Sequence, residues 1–581
     1  MDKQGAINYI YETARGTRWK IALILLIRAS MAMVNVCSAL LLRDMINAAV
    51  AHNTALFFSK SILFIGLIGI RVLAGSANRF FQEDICSELE NKLKKRLFSV
   101  LLKKDYSYVS AVHSGEWMTR LTNDTVLVAN TMTNLLPDMG SMFVRLIGAT
   151  WAILLMEPRF LYLIIPGGML LISISYLSRR KMKQLHKNVQ RADGALRAFL
   201  QECFSGMLVV RAYGTESLTV DRAVERMDHH KTARMRRNRF SNICNTGFSA
   251  LMNATYIAGA CYCGYGILTD AISYGTFTAI LQLIGQLQSP LANISGILPR
   301  YYAMISSVER LMEAEILDDA CLTEHKTLHE VLKVYETDFE KIVMKDISFS
   351  YPSPVQADGL DRGKKEWDGC TGEDGTEKAA ALSGWNFEIK KGEYVAITGP
   401  SGCGKSTLLK LLMCLYDPDE GSRYLQTTDS RITLDGSWQR LFAYVPQGNY
   451  LMSGTIREMV TFSDHRQSMH DEEIWRALSI ACADEFVRKL EHGIDTVLGE
   501  RGAGLSEGQM QRLAIARAVF SRCPIMILDE CSSALDERTE EQLLRNLRSM
   551  TDRTVIIITH RPAALKICDR ICQVNGKQLG M

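Results

Sequence analysis

The sequence predicts a membrane protein of two domains, an all-α domain with six membrane-spanning helices followed by an α/β domain. Three observations carry this prediction. The first half of the chain contains long apolar runs, the second half has the composition of a soluble protein, and a glycine-rich loop in that second half lies between an apolar strand and an apolar helix. A length of 581 residues also exceeds what one hydrophobic core supports, since domains average about 150 residues.

Six segments are apolar enough, and close enough to about 20 residues, to cross a bilayer as helices. Six spans place both ends of this domain on the same side of the membrane. Six apolar core helices of a soluble protein are a much weaker interpretation, because the charges of the intervening loops are also consistent with a membrane. The expected spans are residues 21–42, 56–81, 137–156, 160–177, 248–268 and 274–298.

The loop charges predict which side is cytoplasmic. The loops 82–136 and 179–240 are rich in lysine and arginine, whereas 269–273 contains neither. By the positive-inside rule both long loops, the N-terminus and everything after the sixth span are cytoplasmic. The long loops have helical periodicity, so we expect the helices to continue into the cytoplasm. The residues before the first span lack the apolar core and cleavage site of a signal peptide.

Polar side chains inside the expected spans suggest a substrate cavity, since an ionisable residue in a membrane helix indicates function by default. Arg28, Arg71 and Arg145 lie at inner-leaflet depth. One interpretation is a basic cavity for an anionic or zwitterionic amphiphile, and the other is arginines that snorkel to lipid phosphates. Three amides also share one face of the sixth span by helical spacing, namely Gln282, Gln286 and Asn293.

Composition narrows the class of partner and the compartment. The net charge is only +4, which gives no indication of a nucleic acid partner. Fifteen cysteines occur at irregular spacing, many of them in apolar stretches. Reduced, buried thiols explain this pattern better than disulfides, and they indicate a reducing, cytoplasmic setting for the second domain.

Residues 399–406 read GPSGCGKS and fit the phosphate-loop pattern G-x-x-x-x-G-K-[ST]. A strand at 394–398 and a following helix supply the context that this loop requires. Backbone N–H groups of such a loop surround phosphate oxygens, the lysine contacts the β and γ phosphates, and the serine hydroxyl holds Mg²⁺. We therefore expect ATP and Mg²⁺, bound through Gly399, Ser401, Gly402, Cys403, Gly404, Lys405, Ser406 and Thr407.

A second apolar strand, residues 525–528, ends in the pair Asp529 and Glu530. Four apolar residues in a row favour a central parallel strand that is buried on both faces. Asp529 is placed to hold Mg²⁺, and Glu530 to orient and deprotonate an attacking water. An acidic pair after a strand is a weak signal alone, but together with the phosphate loop it indicates nucleotide hydrolysis.

With these motifs the chain resembles half-size ABC exporters, in which six membrane spans are fused to one ATP-binding cassette. The resemblance covers nearly the whole chain, including the loop segments 115–125 and 206–216, which are similar to the regions of the two coupling helices. The cassette motifs occur in the order FSYP with Tyr351, the phosphate loop, VPQ ending at Gln447, LSEGQ at 505–509, the Asp529–Glu530 pair, SALD at 533–536, and IIITH ending at His560.

The resemblance implies an α/β P-loop ATPase domain with an α-helical signature subdomain, and two such cassettes that sandwich two ATP molecules. Tyr351 would stack on adenine, and Ser506 and Gly508 would contact the γ-phosphate of the ATP bound by the other subunit. Gln509 and Asp536 would also bind nucleotide. Ser406, Gln447 and Asp529 would hold Mg²⁺. Catalysis would fall to Glu530, His560 and Gln447.

Three features depart from the usual family pattern. The signature has Glu507 where glycine is typical. A charged, glycine-rich insertion at 357–381 predicts a surface loop, either a tolerated insertion or a regulatory one. The stretch 421–445 is shorter and less regular than usual, so its small antiparallel strands are hard to place.

We therefore expect a transmembrane domain at 1–320, a linker at 321–340 and a cassette at 341–581. The predicted function is ATP-driven export of an amphipathic small molecule, lipid or peptide across the plasma (inner) membrane by alternating access. An importer on the same fold stays open, as does pairing with a homologous half-transporter instead of a second copy. A non-transporting regulator is disfavoured by the complete motif set, and an exporter with its own leader peptidase by the few residues before the first span.

Overall fold

The computed structural model describes residues 3–317, 325–351, 381–400, 402–448, 451–462, 471–499, 504–550, 552–575 and 578–580. The chain divides into two compact units. The first comprises Met1–Arg96 and Arg120–Met312, and the second comprises Leu97–Thr119 and Glu313–Met581. The sequence placed Leu97–Thr119 in the membrane domain, whereas the structure groups this segment with the cassette residues.

The N-terminal part of the chain is helical throughout, and six of its described helices exceed thirty residues. A π-helical turn, Arg120–Asp124, leads into α6. The helices are α1 (Lys3–Thr13), α2 (Arg18–Val50), α3 (Thr54–Leu101), α4 (Tyr106–Ala111), α5 (Ser114–Thr119), α6 (Thr125–Met156), α7 (Leu161–Ser205), α8 (Met207–Ala212), α9 (Glu216–Leu268) and α10 (Tyr274–Ile316).

These helices account for the apolar runs of the sequence. Among the described residues, three helical stretches are long and apolar enough to cross a membrane, namely Arg18–Val50, Thr54–Leu101 and Ser114–Met156. They contain the first three expected spans. The other three expected spans lie on α7, α9 and α10, which extend well beyond a bilayer's thickness, as the periodic loops predicted.

Small residues allow the membrane helices to pack closely. Ala39 of α2 and Ala149 of α6 are fully buried in a cluster that also contains Cys263 of α9. A Cβ added at Gly259 would lie 2.8 Å from the terminal methyl of Ile284 of α10, so α9 and α10 approach closely at this glycine. The core of the first unit is therefore built on close helix contacts.

The cassette residues form two main sheets. The strands are β1 (Phe339–Phe349), β2 (Leu382–Lys390), β3 (Tyr394–Thr398), β4 (Glu420–Thr427), β5 (Arg431–Thr433), β6 (Phe442–Val445), β7 (Gly454–Thr455), β8 (Val497–Leu498), β9 (Ile525–Asp529), β10 (Thr554–Ile558), β11 (Arg570–Asn575) and β12 (Gln578–Gly580). The larger sheet has the strand order β12–β11–β3–β10–β9–β6, and its strands from β11 to β6 are parallel.

Helices cover both faces of the larger sheet, which explains why every residue of β9 and β10 is buried. The cassette helices are α11 (Leu328–Thr337), α12 (Lys405–Leu412), α13 (Ile456–Val460), α14 (Asp471–Ile480), α15 (Asp484–Arg488), α16 (Glu507–Phe520), α17 (Glu537–Arg548) and α18 (Pro562–Lys566). One apolar core lies between the two sheets and contains α12. The other core lies on the opposite face of the larger sheet and contains residues of α16 and α17.

Three sequence expectations can be compared with these elements. The stretch 421–445 contains β4 and β5, which join β1 and β2 in an antiparallel sheet of order β2–β1–β4–β5. The expected linker 321–340 instead contains the helix α11, whose N-terminus is stabilised by a capping box between Thr327 and Glu330. The insertion 357–381 lies outside the described residues except at Ala381.

Candidate functional site

The phosphate loop joins β3 to α12, as its sequence pattern predicted. Gly402 and Gly404 have φ angles of 80° and 101°, which non-glycine residues rarely adopt. A Cβ at Gly404 would also lie 2.6 Å from Leu382. Lys405 is buried, and its ammonium donates to the backbone oxygens of Gly399 (2.6 Å) and Pro400 (2.9 Å), so the lysine is held inside the loop.

The other loop residues present their side chains in different ways. The Ser406 side chain is exposed, Thr407 is buried beneath the loop, and Cys403 is partly buried. The Lys405 ammonium lies 3.9 Å from the Cys403 sulfur. Ser401 lies outside the described residues. The loop therefore holds a cation and an exposed hydroxyl at the N-terminus of α12, where backbone N–H groups favour anions.

Asp529 lies at the end of β9 with its side chain almost fully buried. Burial raises the pKa of its carboxyl, and the hydroxyl of Tyr444 on the neighbouring strand β6 opposes this rise by donating a hydrogen bond of 3.3 Å. Tyr444 was not singled out from the sequence, although its position three residues before Gln447 is visible there. A buried, negatively charged oxygen ligand suits a hard divalent cation.

Glu530 follows in a left-handed conformation with φ of 48°, which its N–H secures by donating to the Ile558 oxygen at 3.0 Å. Its carboxylate accepts a hydrogen bond of 2.6 Å from the Gln447 side-chain nitrogen. Two residues predicted to act together are thus joined directly. Because Gln447 uses its nitrogen here, its carbonyl oxygen stays available as an acceptor.

The donor set fits Mg²⁺. The Ser406 hydroxyl, the Asp529 carboxylate and the Gln447 carbonyl are hard oxygen ligands of the kind this ion prefers. Among the described residues, no group of three or more histidine, cysteine or acidic side chains forms a separate metal site. These three residues would hold the ion, which would neutralise charge on the nucleotide phosphates.

The signature residues begin α16. The Ser506 hydroxyl caps the helix by accepting a hydrogen bond from the Gln509 N–H at 3.3 Å. The side-chain oxygen of Gln509 in turn accepts a hydrogen bond from the Ser506 N–H at 2.8 Å. A Cβ at Gly508 would lie 2.8 Å from the Ala534 oxygen, so glycine is required there. Glu507 occupies the first turn, where the helix dipole stabilises a carboxylate.

The segment SALD is held by residues that sequence reasoning missed. Gln511 of α16 bonds both the Ser533 hydroxyl (2.9 Å) and the Ala534 N–H (3.1 Å). Arg561, next to His560, donates to the Ser533 oxygen at 2.6 Å and to buried Glu540 at 2.8 Å. These contacts connect the signature helix, SALD and the histidine segment within one cassette.

Asp536 and His560, both predicted to act on nucleotide, lie at the ends of secondary-structure elements. Asp536 caps α17 by accepting from the Thr539 N–H at 3.0 Å, and this backbone hydrogen bond lowers the pKa of its carboxyl. His560 is exposed just beyond β10, close in sequence to the strand that flanks Asp529. Asp536 therefore has a structural role whether or not it also contacts nucleotide.

Tyr351 belongs to an aromatic cluster. Its ring is 46% exposed, and its hydroxyl forms a 2.7 Å hydrogen bond with Thr407. The ring of buried Tyr416 stacks on Phe349 at 5.1 Å and meets Tyr351 edge to face at 5.9 Å. Tyr416 also stacks on Tyr106 of α4 at 6.1 Å. Its hydroxyl lies 3.3 Å from that of Ser110, so α4 packs on the residue that supports Tyr351.

The arginines of the membrane helices differ in whether a carboxylate compensates their charge. Arg28 is paired with Asp138 of α6 and donates to Gln82 of α3 at 2.5 Å, so its charge is compensated and it does not provide the free cation that the sequence suggested. The compensation could not be foreseen because Asp138 comes from a distant part of the chain. Arg71 instead donates to the side-chain oxygen of Asn35 at 3.0 Å, and no carboxylate pairs with Arg71 in the described part of the chain.

The remaining cavity residues are placed as follows. Gln286 donates to the Asn35 backbone oxygen at 2.9 Å, so Asn35, which the sequence analysis missed, connects α10 with α2. Gln282 is exposed. The Nε of Arg145 and the Oε1 of Gln286 are buried without a hydrogen-bond partner among the described residues. The Asn293 side chain lies outside what the structure describes.

Comparison with known proteins agrees with this geometry. Residues 21–291 match the ABC transporter transmembrane region, and residues 382–533 match the ABC transporter domain. The ATP-binding protein YfiC of Bacillus subtilis is 27% identical over 493 residues, which are 84% of this chain and 76% of that protein. The ATP-dependent lipid A-core flippase of Aliivibrio fischeri is 26% identical over 534 residues, 89% of this chain and 84% of that protein.

The fold is similar to that of a bacterial Atm1-family ABC exporter solved with ATP bound. The TM-score is 0.75 at 21% sequence identity, and the match covers 98% of this chain and 95% of that one. The predicted fold class, membrane helices followed by a cassette with a parallel sheet, is confirmed.

Proposed function

Because this chain belongs to the ABC transporter family, with the membrane region and the ATPase domain fused in one polypeptide, we propose that it exports an amphipathic molecule from the cytoplasmic side of the plasma membrane. The chain is an ATPase coupled to transport, and the proposal concerns its direction, its substrate, its membrane and its partner. The observation that supports the ATPase which would drive this export is the direct contact of Gln447 with Glu530 beside the phosphate loop.

Hydrolysis follows from the positions of these side chains. Lys405 and the N-terminus of α12 would neutralise phosphate charge, and Mg²⁺ held by Ser406, Asp529 and Gln447 would add to that neutralisation. Glu530 would orient and deprotonate the attacking water, and His560 would position the terminal phosphate. Phosphoryl transfer needs this positioning more than covalent chemistry by the protein. Rearranging the Gln447–Glu530 bond would free the carboxylate for the water.

A second copy of the chain is the proposed partner. The cytoplasmic part of α9 exposes Val220, Val224 and Met227, which share one helix face at helical spacing. Outside a membrane an exposed apolar face of this kind favours a protein contact. The short helix α8 also exposes Leu208 at 83%, which supports docking of this region on another cassette. The complete set of motifs in this one chain favours two identical copies over a heterodimer.

The substrate proposed is an anionic or zwitterionic amphiphile. Arg71 has a hydrogen bond but no acidic partner in the described residues, and Arg145 has a buried nitrogen without a partner. A cation at inner-leaflet depth is costly unless it meets an anion or water. The charge of the long loops supports a cytoplasmic position for the N-terminus and the cassette.

The test is Mg²⁺-dependent ATP hydrolysis by the full chain, purified alone into lipid nanodiscs, compared with Glu530→Gln. We expect turnover by the wild type and a loss of about 100-fold or more in the variant, since general-base catalysis contributes about 10²–10⁴-fold. The variant should still bind ATP. Folded, ATP-binding wild type without turnover would contradict the homodimer and favour a heterodimer.

Direction needs a separate experiment. Inside-out vesicles that contain the chain should accumulate a labelled anionic amphiphile when ATP is added outside. Right-side-out vesicles loaded with ATP should lose it instead. Accumulation in the right-side-out vesicles would show import and overturn the proposed direction.

A further inference from the structure

A buried carboxylate joins the start of α6 to the C-terminal part of α10. Asp124 is the last residue of the π-helical turn before α6, and its side chain is only 6% exposed. One carboxylate oxygen accepts from the Ser307 hydroxyl at 2.8 Å and from the Nη2 of Arg310, and the other accepts from the Arg310 Nε at 2.8 Å. Such a two-pronged arginine–carboxylate pair fixes orientation as well as distance. The start of α6 therefore has a defined orientation relative to α10.

The contact between the two segments is reciprocal. Arg120, the first residue of the π-helical turn, is buried and donates from its guanidinium to the backbone oxygen of Arg310 at 2.9 Å. Arg310 thus binds the last residue of the turn through its side chain and the first through its backbone. We call the set Arg120, Asp124, Ser307 and Arg310 the α6–α10 clamp. It holds a π-helical turn, which is rare in proteins and occurs frequently at functional sites.

The α6–α10 clamp lies next to two points where the chain passes from one compact unit to the other. The chain passes between the units at 96/97, 119/120 and 312/313. Arg120 is the first residue after the second of these points, and Arg310 lies just before the third. The clamp itself belongs wholly to the first unit. It therefore joins, within that unit, two of the three chain segments that connect the unit to the cassette.

The second unit joins the continuations of the same two segments on its own side. The ammonium of Lys104, in the segment Leu97–Thr119, donates to the backbone oxygens of Glu315 at 2.8 Å and Leu317 at 2.5 Å. These two acceptors lie just after the passage at 312/313. A displacement of either segment in the second unit is thus imposed on the other before it reaches the first unit.

We propose that Asp124 and Arg310 are positioning residues that couple the nucleotide state of the cassette to the membrane helices. All residues proposed to bind nucleotide belong to the second unit, and the six apolar spans belong to the first. With the α6–α10 clamp intact, the two segments move α6 and α10 as one body. Without the clamp each segment moves alone, and the displacement is lost before it reaches the spans. The inference needs an ATPase coupled to transport, but neither a direction nor a substrate.

The test is hydrogen–deuterium exchange of the full chain in lipid nanodiscs, with and without Mg²⁺ and ATP, in the Glu530→Gln background that prevents turnover. ATP should change the exchange of amides in α6 and α10 when the clamp is intact. Asp124→Asn keeps the shape of the side chain and removes its charge. It should reduce this ATP-linked change about fivefold, the lower end of typical coupling between sites.

Two further readouts separate coupling from a merely structural role. Asp124→Asn changes no residue of the cassette, so its affinity for a fluorescent ATP analogue should stay within about twofold of the parent protein. With Glu530 restored, ATP turnover of Asp124→Asn should also stay within about twofold of the wild type. A residue that only stabilised the fold would lower turnover and the ATP-linked change together.

A double-variant cycle tests whether Asp124 and Arg310 act through their contact. Arg310→Gln should reduce the ATP-linked change as much as Asp124→Asn does, and the double variant should lose no more than either single variant. Ser306→Ala is the matched control, because the exposed Ser306 hydroxyl accepts from the Arg310 Nη1 at 3.3 Å and has no contact with Asp124. It should behave as the parent protein does.

Arg310→Gln leaves the Asp124 carboxylate buried without a cation, which is destabilising. If thermal melting shows that this variant does not fold, Arg310→Lys replaces it in the cycle. The lysine keeps the charge and loses the two-pronged geometry, so its ATP-linked change should lie between those of the parent protein and Asp124→Asn.

A full ATP-linked change in Asp124→Asn would overturn the inference, as would losses that multiply in the double variant. ATP that alters exchange only within the cassette of the parent protein would overturn it too. The exchange assay requires neither hydrolysis nor a transported molecule. Vesicle transport in the opposite direction would therefore contradict the proposed function and leave this inference standing.

Discussion

Replacing Tyr416 with leucine should weaken ATP binding without changing any residue that is proposed to touch the nucleotide. The ring of Tyr416 supports Tyr351 edge to face at 5.9 Å and is itself stacked between Phe349 and Tyr106. An aromatic pair contributes about 0.5–1.5 kcal/mol beyond the burial of its area. Tyr416→Leu loses three such pairs, or roughly 1.5–4.5 kcal/mol of local stability.

Only the pair with Tyr351 acts directly on the residue that is proposed to stack on adenine. We therefore expect ATP affinity to fall by about 0.5–1.5 kcal/mol, which is roughly 2- to 13-fold. The assay is equilibrium binding of a fluorescent ATP analogue to the full chain in the Glu530→Gln background, which prevents turnover. Tyr416→Phe keeps the rings and loses only the hydroxyl contacts with Ser110 and Lys410, each at 3.3 Å, so it should stay within about twofold of the wild type.

Tyr106→Leu is the second comparison, since it removes the stack on the α4 side and leaves the pair with Tyr351. Its ATP affinity should lie between those of the wild type and Tyr416→Leu. Tyr416→Leu with unchanged affinity would refute the reasoning, because Tyr351 would then hold its position without support. A loss as large in Tyr416→Phe would refute it too, by assigning the effect to the hydroxyl.

Three further outcomes follow from the cassette. Arg561→Met leaves the buried Glu540 carboxylate without its cation, and thermal unfolding should show a loss of about 3 kcal/mol that Glu540→Gln partly restores in the double variant. Gly508→Ala places a Cβ 2.8 Å from the Ala534 oxygen, so ATP turnover should fall. Ser521→Ala, at the residue that follows the opposite end of α16, is the control and should keep the turnover of the wild type. The Arg548 hydrogen bond lowers the pKa of the Asp569 carboxyl. Because folding lowers this pKa, the ionised Asp569 carboxylate stabilises the folded state at pH values above its unfolded pKa of about 3.9, and this stabilisation is lost as the pH falls. Asp569→Asn should therefore be less stable than the wild type by about 0.5–1 kcal/mol at pH 7, and the difference in stability should shrink below about pH 4. Denaturant unfolding of both proteins across that range checks the sign, and a gap independent of pH would contradict it.

Local sequence patterns were sufficient for the ATP site. The glycines of the phosphate loop, Lys405 and the Asp529–Glu530 pair are each recognised from neighbours in sequence, because a loop between a strand and a helix is a local structure. The parallel sheet then brings the ends of β3, β6 and β9 to one edge. That is why Gln447 and Glu530, 83 positions apart and both assigned from their motifs to the attacking water, form a hydrogen bond that the sequence did not predict.

The supporting residues were not predictable in the same way. Tyr416 follows α12 in an unremarkable apolar context, and nothing local shows that a ring from α4 will stack on it. Gln511 and Arg561 likewise act through backbone groups of SALD, which carry no sequence signal. Their roles arise from packing between elements, which depends on distances that periodicity does not encode.

The sequence by itself determined the two domain classes, the apolar spans and the candidate residues for binding and hydrolysing ATP, because hydrophobic periodicity and glycine-rich turns act over a few neighbouring residues. Only the tertiary structure decided the electrostatic state of the membrane arginines. Arg28 and Arg71 look alike in sequence, yet Arg28 meets a carboxylate 110 positions away and Arg71 meets an amide. Whether a charge on a membrane helix is compensated depends on which side chain the fold brings to it, and at that separation in sequence the partner is set by helix packing.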